Sequence, residues 1–199
     1  MIIKCDYRIA SVTDGYGLLL RNKHLNDAEH RLPGNSVLFI HGATYGSTST
    51  FDYEIEGESW MDKMAAEGFD VWCLDLLGYG ESDRPEEMLV AADLNDPIVD
   101  TAHAIAEVDR AVDFILKDRA IHQLSLIGYS WGSAICGRYA GEFESKVSRL
   151  VLSGALWVEK GATPRTISAD IGAYRTVDAG SMAKRWATGL SGDEIDAIV

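Results

Sequence analysis

A serine between two glycines is the residue of this sequence whose surroundings best fit covalent chemistry. The stretch Gly128-Tyr129-Ser130-Trp131-Gly132 follows an apolar run and precedes small residues that favour a helix. A strand that turns sharply into a helix brings backbone close to backbone, which requires glycine, and it lifts the serine oxygen above the sheet. The spacing predicts Ser130 as a nucleophile, with Gly128 and Gly132 supporting the turn. The alternative is a structural serine in a tight turn.

A second motif, His41-Gly42-Ala43, comes directly after the apolar run 36–40. A hydrolase that forms a tetrahedral oxyanion needs two preorganised N–H donors, each contributing roughly 3–4 kcal/mol in the transition state. We expect the N–H groups of Ala43 and Trp131 to form this oxyanion hole. His41 and Gly42 would then shape the loop rather than take the serine proton. The alternative is an ordinary glycine where a strand enters a loop.

A third motif, DLLGYGESDRP from Asp75 to Pro85, follows the next apolar run and contains two closely spaced glycines. Loops that cradle phosphates carry Lys-Ser/Thr after their glycines or a complete G-x-G-x-x-G, and this loop has neither. Nucleotide binding is therefore not predicted.

These three motifs, in this order, resemble the α/β-hydrolase superfamily, and the similarity runs from about residue 5 to residue 157. The resemblance implies a mostly parallel sheet with helices on both faces and an antiparallel strand near its start. Epoxide hydrolases and haloalkane dehalogenases place Asp between the two glycines, whereas this chain has Ser130. It therefore resembles the esterases, lactonases and amidases, which implies hydrolysis of a small carboxylic ester, lactone or amide through a covalent acyl-Ser130 intermediate. No metal or organic cofactor is expected.

The histidine that such a serine requires is missing from its usual position. The family's order is serine, then acid, then histidine, but all five histidines precede Ser130: His24, His30, His41, His103 and His122. Glu159 is a candidate acid because it follows the strand after the nucleophile, although a surface carboxylate is the commoner role for such a residue. The sequence thus predicts an oxyanion hole without its catalytic base.

Two explanations of the missing histidine remain open. The chain is the N-terminal portion of a longer or split hydrolase, or it is a reduced relative that binds a small molecule without hydrolysing it. A capping box, Ser191 to Glu194, opens a helix only about two turns before the last residue, and such a short helix is not stable without packing. The strand at 149–153 would also form an exposed apolar edge. We therefore expect a C-terminal segment or second chain that completes the fold and supplies the acid and histidine.

The elements that must position these motifs alternate between apolar runs and helical patterns, which predicts an α/β fold with a parallel sheet. Strands are predicted at 36–40, 71–75, 123–127 and 149–153, after a hairpin over 4–25 that turns at Thr13-Asp14-Gly15. Predicted helices are one with the apolar stripe Trp60, Met64 and Ala65 that ends at Gly68, one over 98–118, and one from about Trp131. The 98–118 helix has Ala102, Ile105, Val112 and Ile115 on its apolar face and His103, Glu107 and Arg110 on its polar face. Residues 1–157 are predicted to form the core and residues 158–199 to begin a helical cap.

Composition limits the possible partners. The 199 residues carry a net charge of −13, which argues against nucleic acid or an anionic membrane as the main partner, although a solubilising acidic surface explains the charge equally well. We see neither a secretory signal nor the ~18 apolar residues of a membrane span. Cys5, Cys73 and Cys136 are odd in number and form no C-x-x-C, so we expect reduced thiols in the cytoplasm and no metal site.

Overall fold

The fold is built on one six-stranded sheet. The computed structural model describes residues 1–26, 34–156, 172–187 and 189. The strands are Ile2–Ala10 (β1), Gly17–Leu25 (β2), Ser36–Ile40 (β3), Asp70–Leu74 (β4), Leu124–Tyr129 (β5) and Val147–Ser153 (β6), in the spatial order β1-β2-β4-β3-β5-β6. The pairs β1/β2 and β2/β4 are antiparallel, and β4, β3, β5 and β6 run parallel. The predicted hairpin and the four predicted parallel neighbours are therefore confirmed.

The described residues contain five α-helices. They are Ser47–Phe51 (α1), Trp60–Ala66 (α2), Thr101–Arg119 (α3), Trp131–Glu142 (α4) and Ala179–Trp186 (α5), with short 3-10 turns at Glu86–Leu89, Ala92–Leu94 and Glu144–Lys146. The predicted helices at 60–65, at 98–118 and from Trp131 are present, within a few residues of their predicted bounds, and the helix predicted after Ser191 lies outside the described residues. Residues 158–171, 188 and 190–199, where most of the predicted cap falls, lie outside the described residues.

Helices cover the sheet on both faces. On one face α3 and α4 pack over Leu38, Trp72 and Leu126, and on the other α1 and α2 pack over Phe39 and Val71. Strands β3 and β4 are buried along their whole length, as expected for parallel strands between two helical layers. This layering holds β3, β4 and β5 in place, and the carboxyl ends of these strands carry the three sequence motifs.

Two helix faces differ from the sequence expectation. In α2 the fully buried residues are Met61 and the predicted Ala65, whereas the predicted Trp60 is 46% exposed and only flanks Phe39. In α3 the predicted apolar Ala102 is exposed, and Glu107 of the predicted polar face is fully buried. Glu107 is buried because its carboxylate accepts hydrogen bonds from Ser11 and Leu77 in neighbouring loops. The helical period of the sequence does not reveal these contacts.

Strand β6 has an exposed apolar edge. Within the described residues it pairs only with β5, and its residues Leu150, Val151 and Leu152 are 38%, 50% and 44% exposed. The apolar edge expected from the sequence is therefore observed. No helix among the described segments is long and apolar enough to cross a bilayer.

Candidate active site

Ser130 lies at the junction of β5 and α4 in a backbone conformation that side chains rarely adopt. Its φ of 53° and ψ of −116° carry a cost of about 1–3 kcal/mol. The Ser130 amide donates to the Ser153 carbonyl at 2.9 Å, and the Ser130 carbonyl accepts from the Ser133 amide at 2.9 Å and from its hydroxyl at 2.5 Å. These contacts fix the backbone on both sides of the serine, so the sharp strand-to-helix turn predicted from the sequence is present.

The flanking glycines are required by close backbone contacts. A β-carbon on Gly128 would lie 2.3 Å from the carbonyl oxygen of Gly132, and one on Gly132 would lie 2.2 Å from that of Ile40. Real side chains do not tolerate such distances, so only glycine lets β5, α4 and the end of β3 approach this closely. The supporting role predicted for both glycines has this steric basis.

The turn after β3 packs directly against Ser130. A β-carbon on Gly42 would lie 3.1 Å from Cβ and 3.5 Å from Oγ of Ser130. Within the described part of the chain the amides of Ala43 and Trp131 donate no hydrogen bond. Trp131 is the first residue of α4, where an N–H group has no partner inside the helix and carries partial positive charge. The structure therefore packs Gly42 against Ser130, with Ala43 next to Gly42 along the chain and the first residue of α4 next to Ser130, and the oxyanion hole at Ala43 and Trp131 stays a prediction.

His41 is occupied by backbone contacts and lies in the core. Its Nε2 accepts from the Leu76 amide at 3.2 Å, so Nδ1 carries the proton and donates to the Gly42 carbonyl at 2.6 Å. Burial lowers the pKa of His41, and the Gly42 carbonyl and the Asp75 charge oppose this only in part. Both ring nitrogens of a neutral imidazole are therefore engaged. His41 thus holds the loop through both ring nitrogens, and that it does not take the serine proton stays a prediction.

The third motif forms a loop closed on the carboxylate of Asp75. This buried side chain accepts from the amides of Ser47, at 2.6 Å, and Glu81, at 3.0 Å. A β-carbon on Gly80 would lie 2.0 Å from Asp75 Oδ2, which explains the glycine. Because the loop surrounds a negative charge, it is unsuited to cradle a phosphate, in agreement with the sequence interpretation.

Tyr79 is a site residue that the sequence reasoning did not identify. Its ring centroid lies 4.5 Å from that of His41 and 6.4 Å from that of Trp131, and its hydroxyl donates to the Ala43 carbonyl at 3.3 Å. Burial raises the pKa of Tyr79, and the positive charge of Arg175 opposes this in part. Tyr79 thus supports the turn after β3 through its hydroxyl and its ring. The available signal was its place between the two glycines of the third motif.

The histidines that the structure describes do not reach Ser130. His24 lies on β2, which β4 and β3 separate from β5, and it contacts Asn22. His103 hydrogen-bonds Glu107 on α3, and His122 is exposed just before β5, at the end opposite Ser130. His30 and the candidate acid Glu159 lie outside the described residues. The turn after β3 therefore packs beside Ser130, but none of the four described histidines, His41 included, is placed to accept its proton.

Comparison with known proteins agrees with this geometry. A family model described as the alpha/beta hydrolase fold matches residues 35–176. The chain belongs to this family.

Individual relatives are more distant. The AB hydrolase superfamily protein YisY of Bacillus subtilis is 29% identical over 123 residues, which is 61% of this chain and 38% of YisY. The chain also resembles the structures of potato (Solanum tuberosum) epoxide hydrolase I, with a TM-score of 0.57, 18% identity and coverage of 82% of this chain and 44% of that one. A third similar structure is 2-hydroxy-6-oxo-6-phenylhexa-2,4-dienoate hydrolase from Rhodococcus sp. strain RHA1, with a TM-score of 0.56, 17% identity and coverage of 83% and 51%.

The matched segment is short relative to these proteins. It spans 31–38% of the length of the curated relatives and about half or less of the two solved chains. At this level of identity the solved structures support the fold alone. The family is that of hydrolase-type enzymes, and the chemistry of this chain must be argued from its own residues.

Proposed function

We propose that the protein is a serine hydrolase that cleaves a small carboxylic ester, lactone or amide through a covalent acyl-Ser130 intermediate. The observation that carries the proposal is the backbone of Ser130, held at φ 53° between β5 and α4. A cost of this kind persists where the surrounding structure enforces it, and such residues cluster at functional sites. The nearby Gly42-Ala43 turn supplies the second half of the expected oxyanion hole.

The proposed reaction has two steps. Ser130 Oγ attacks the substrate carbonyl while a histidine takes its proton, and the N–H groups of Ala43 and Trp131 stabilise the oxyanion. The intermediate collapses, the leaving group takes the proton from the histidine, and an acyl-enzyme remains. A water molecule, deprotonated by the same histidine, then attacks the acyl carbon; the bond to Ser130 Oγ breaks, Oγ takes the proton back from the histidine, and the acid is released. No metal or organic cofactor takes part in this scheme.

The proposed histidine and acid come from a C-terminal segment or second chain outside the described residues. The imidazole must lie within about 3 Å of Ser130 Oγ, and no described histidine hydrogen-bonds to it. The exposed residues of β6 support the same idea, because further strands would cover that edge. Glu159 stays a candidate acid, with a surface carboxylate as its alternative role.

Residues 158–199 are proposed to begin a helical cap over the site, beyond a core at 1–157. The described part of this region supports the proposal. The Ala173 amide donates to the Ala92 carbonyl at 2.8 Å, and the Tyr174 hydroxyl donates to the Val90 carbonyl at 2.8 Å, so the segment is anchored beyond the third motif. We also propose a cytoplasmic location, since Cys5, Cys73 and Cys136 are free thiols, as is usual in a reducing compartment.

A second candidate is a ligand-binding protein on the same fold that does not turn over its ligand. The observation that favours it is that no histidine among the described residues hydrogen-bonds to the Ser130 hydroxyl. The two candidates differ in turnover, since only the hydrolase releases product repeatedly.

The test is hydrolysis of p-nitrophenyl esters of graded acyl length by the protein at its natural length. We expect turnover that falls by at least about 10³-fold in Ser130→Ala. Ser148→Ala, at an exposed serine of β6, is the matched control and should leave the rate unchanged. Binding of an ester without release of nitrophenolate would favour the ligand-binding alternative and contradict the proposal.

A further inference from the structure

Glu107 is a buried carboxylate that the proposed reaction does not use. It lies on α3 and is fully buried. Its Oε2 accepts from the Leu77 amide at 2.9 Å, and its Oε1 accepts from the Ser11 hydroxyl at 2.6 Å and contacts His103 Nε2 at 3.2 Å. Burying a carboxylate is costly unless its oxygens are satisfied, and here three groups from three parts of the chain satisfy it.

The Leu77 amide belongs to a junction at the end of β4. Three successive amides there donate to three different elements. The Asp75 amide donates to the Leu19 carbonyl at 3.0 Å, the Leu76 amide to His41 Nε2 at 3.2 Å, and the Leu77 amide to Glu107 Oε2 at 2.9 Å. The direction of the middle amide, which holds His41, is therefore fixed by its neighbours on both sides.

His41 in turn sets the direction of the Ala43 amide. Its Nδ1 donates to the Gly42 carbonyl at 2.6 Å. The Gly42 carbonyl and the Ala43 N–H belong to the same peptide unit, which is planar and trans, so the two groups point in opposite directions. Holding the carbonyl toward the core therefore aims the N–H away from the core. The same turn packs against Ser130, since a β-carbon on Gly42 would lie 3.1 Å from Ser130 Cβ.

We propose that Glu107 is a positioning residue for the oxyanion hole, acting through Leu77, Leu76 and His41 on the peptide between Gly42 and Ala43. This inference rests on the proposed hydrolase function. Glu107 does not touch the substrate. It holds one end of a chain of hydrogen bonds whose other end is the N–H group that stabilises the transition state.

Three variants of Glu107 and one control variant, in the protein at its natural length, test the idea, with kcat and KM for p-nitrophenyl acetate as the readout. Glu107→Met removes the acceptor at similar size, and Glu107→Asp keeps the charge but retracts it from Leu77. Both should lower kcat on the order of 10-fold with KM little changed, because the lost stabilisation acts in the transition state. Glu107→Gln keeps an amide oxygen for the Leu77 N–H and should restore kcat to within about threefold of the wild-type value.

Asp70→Asn is the matched control. Asp70 is also a buried carboxylate that holds β4, but at the end away from Ser130, where it accepts from Asn22, Trp72 and Arg119. This variant should lower the melting temperature while kcat per folded molecule stays at the wild-type value.

The outcomes distinguish failure of the positioning role of Glu107 from failure of the proposed hydrolase function. Wild-type protein without esterase activity overturns both. An active wild type, with Glu107→Met and Glu107→Asp at the wild-type kcat, overturns the positioning role alone. An equal decrease of kcat in Asp70→Asn also overturns it, because the effect would then be one of general stability. If Glu107→Met does not fold, Glu107→Asp decides.

Discussion

At the scale of single residues, the two polar side chains of the site differ in their hydrogen-bond partners. Ser130 and His41 both lie at the ends of neighbouring parallel strands. Both nitrogens of His41 are engaged with backbone groups, so it has no free position for proton transfer. The Ser130 hydroxyl has no such partner among the described residues, although its backbone is firmly held. We therefore expect Ser130 to be the reactive side chain and His41 to hold the loop in place.

The buried, neutral state of His41 makes a prediction about pH. Burial lowers its pKa below the ordinary value of 6.5, so below that pH the unfolded chain binds a proton that the folded chain does not. Below pH 6.5 the free energy of unfolding should therefore fall, by at most about 1.4 kcal/mol per pH unit for this one group. Urea unfolding between pH 7.5 and 5.5 measures it, above the range where the carboxylates titrate.

His41→Gln isolates this contribution. The variant should be less stable than the wild type at pH 7.5, but it should lose less further stability on going to pH 5.5. His122→Gln, at an exposed histidine, is the control and should keep the wild-type pH dependence. Identical pH dependence in wild type and His41→Gln would contradict the buried neutral histidine.

At the scale of elements, the site depends on how closely β3, β5 and α4 approach one another. Gly128 and Gly132 allow the contact, and the Ser130 carbonyl is tied to Ser133 in the first turn of α4. The nucleophile is thus positioned by packing of backbone against backbone. Side chains around it, such as Tyr79, add support from the neighbouring loop.

Two glycines of α4 provide a matched test of this packing. Gly132→Ala should reduce the free energy of unfolding by about 2–3 kcal/mol or more, because its β-carbon would lie 2.2 Å from the Ile40 carbonyl oxygen. A β-carbon on Gly137 in the same helix would meet no atom within 4 Å, so Gly137→Ala should be neutral or stabilising by up to about 1 kcal/mol. Denaturant unfolding of both variants is the measurement. Equal effects would show that the close approach at Gly132 is not needed.

Much of this arrangement was predictable from the sequence because it is local. Short apolar runs predicted the parallel strands, and the glycine spacing predicted the turn at Ser130. The burial of Glu107 was not predictable, since helical periodicity indicates a face but not the loop amides that meet it. Similarly, the stripe on α2 pointed to Trp60, while Met61 fills the core, because a helix of seven residues offers too few turns to define its face.

At the scale of the whole molecule, the sheet is unevenly covered. Strands β3 and β4 are wholly buried, whereas β6 exposes Leu150, Val151 and Leu152. A natural sheet seldom leaves such an edge uncovered. The proposed completing segment would cover this edge and supply the histidine that the described residues do not place beside Ser130. That the base is missing from this chain stays a prediction from the sequence, and the source of the base depends on long-range contacts that no local pattern records.

The central claim is that Ser130 is an activated nucleophile, and the most direct measurement is covalent labelling with a fluorophosphonate, read by intact mass and peptide mapping. We predict one adduct per molecule at Ser130 in the protein at its natural length, and none in Ser130→Ala. We predict far slower labelling of a chain limited to residues 1–199, because the proposed base is supplied by another segment. The absence of an adduct at Ser130 in folded protein of natural length would contradict the account.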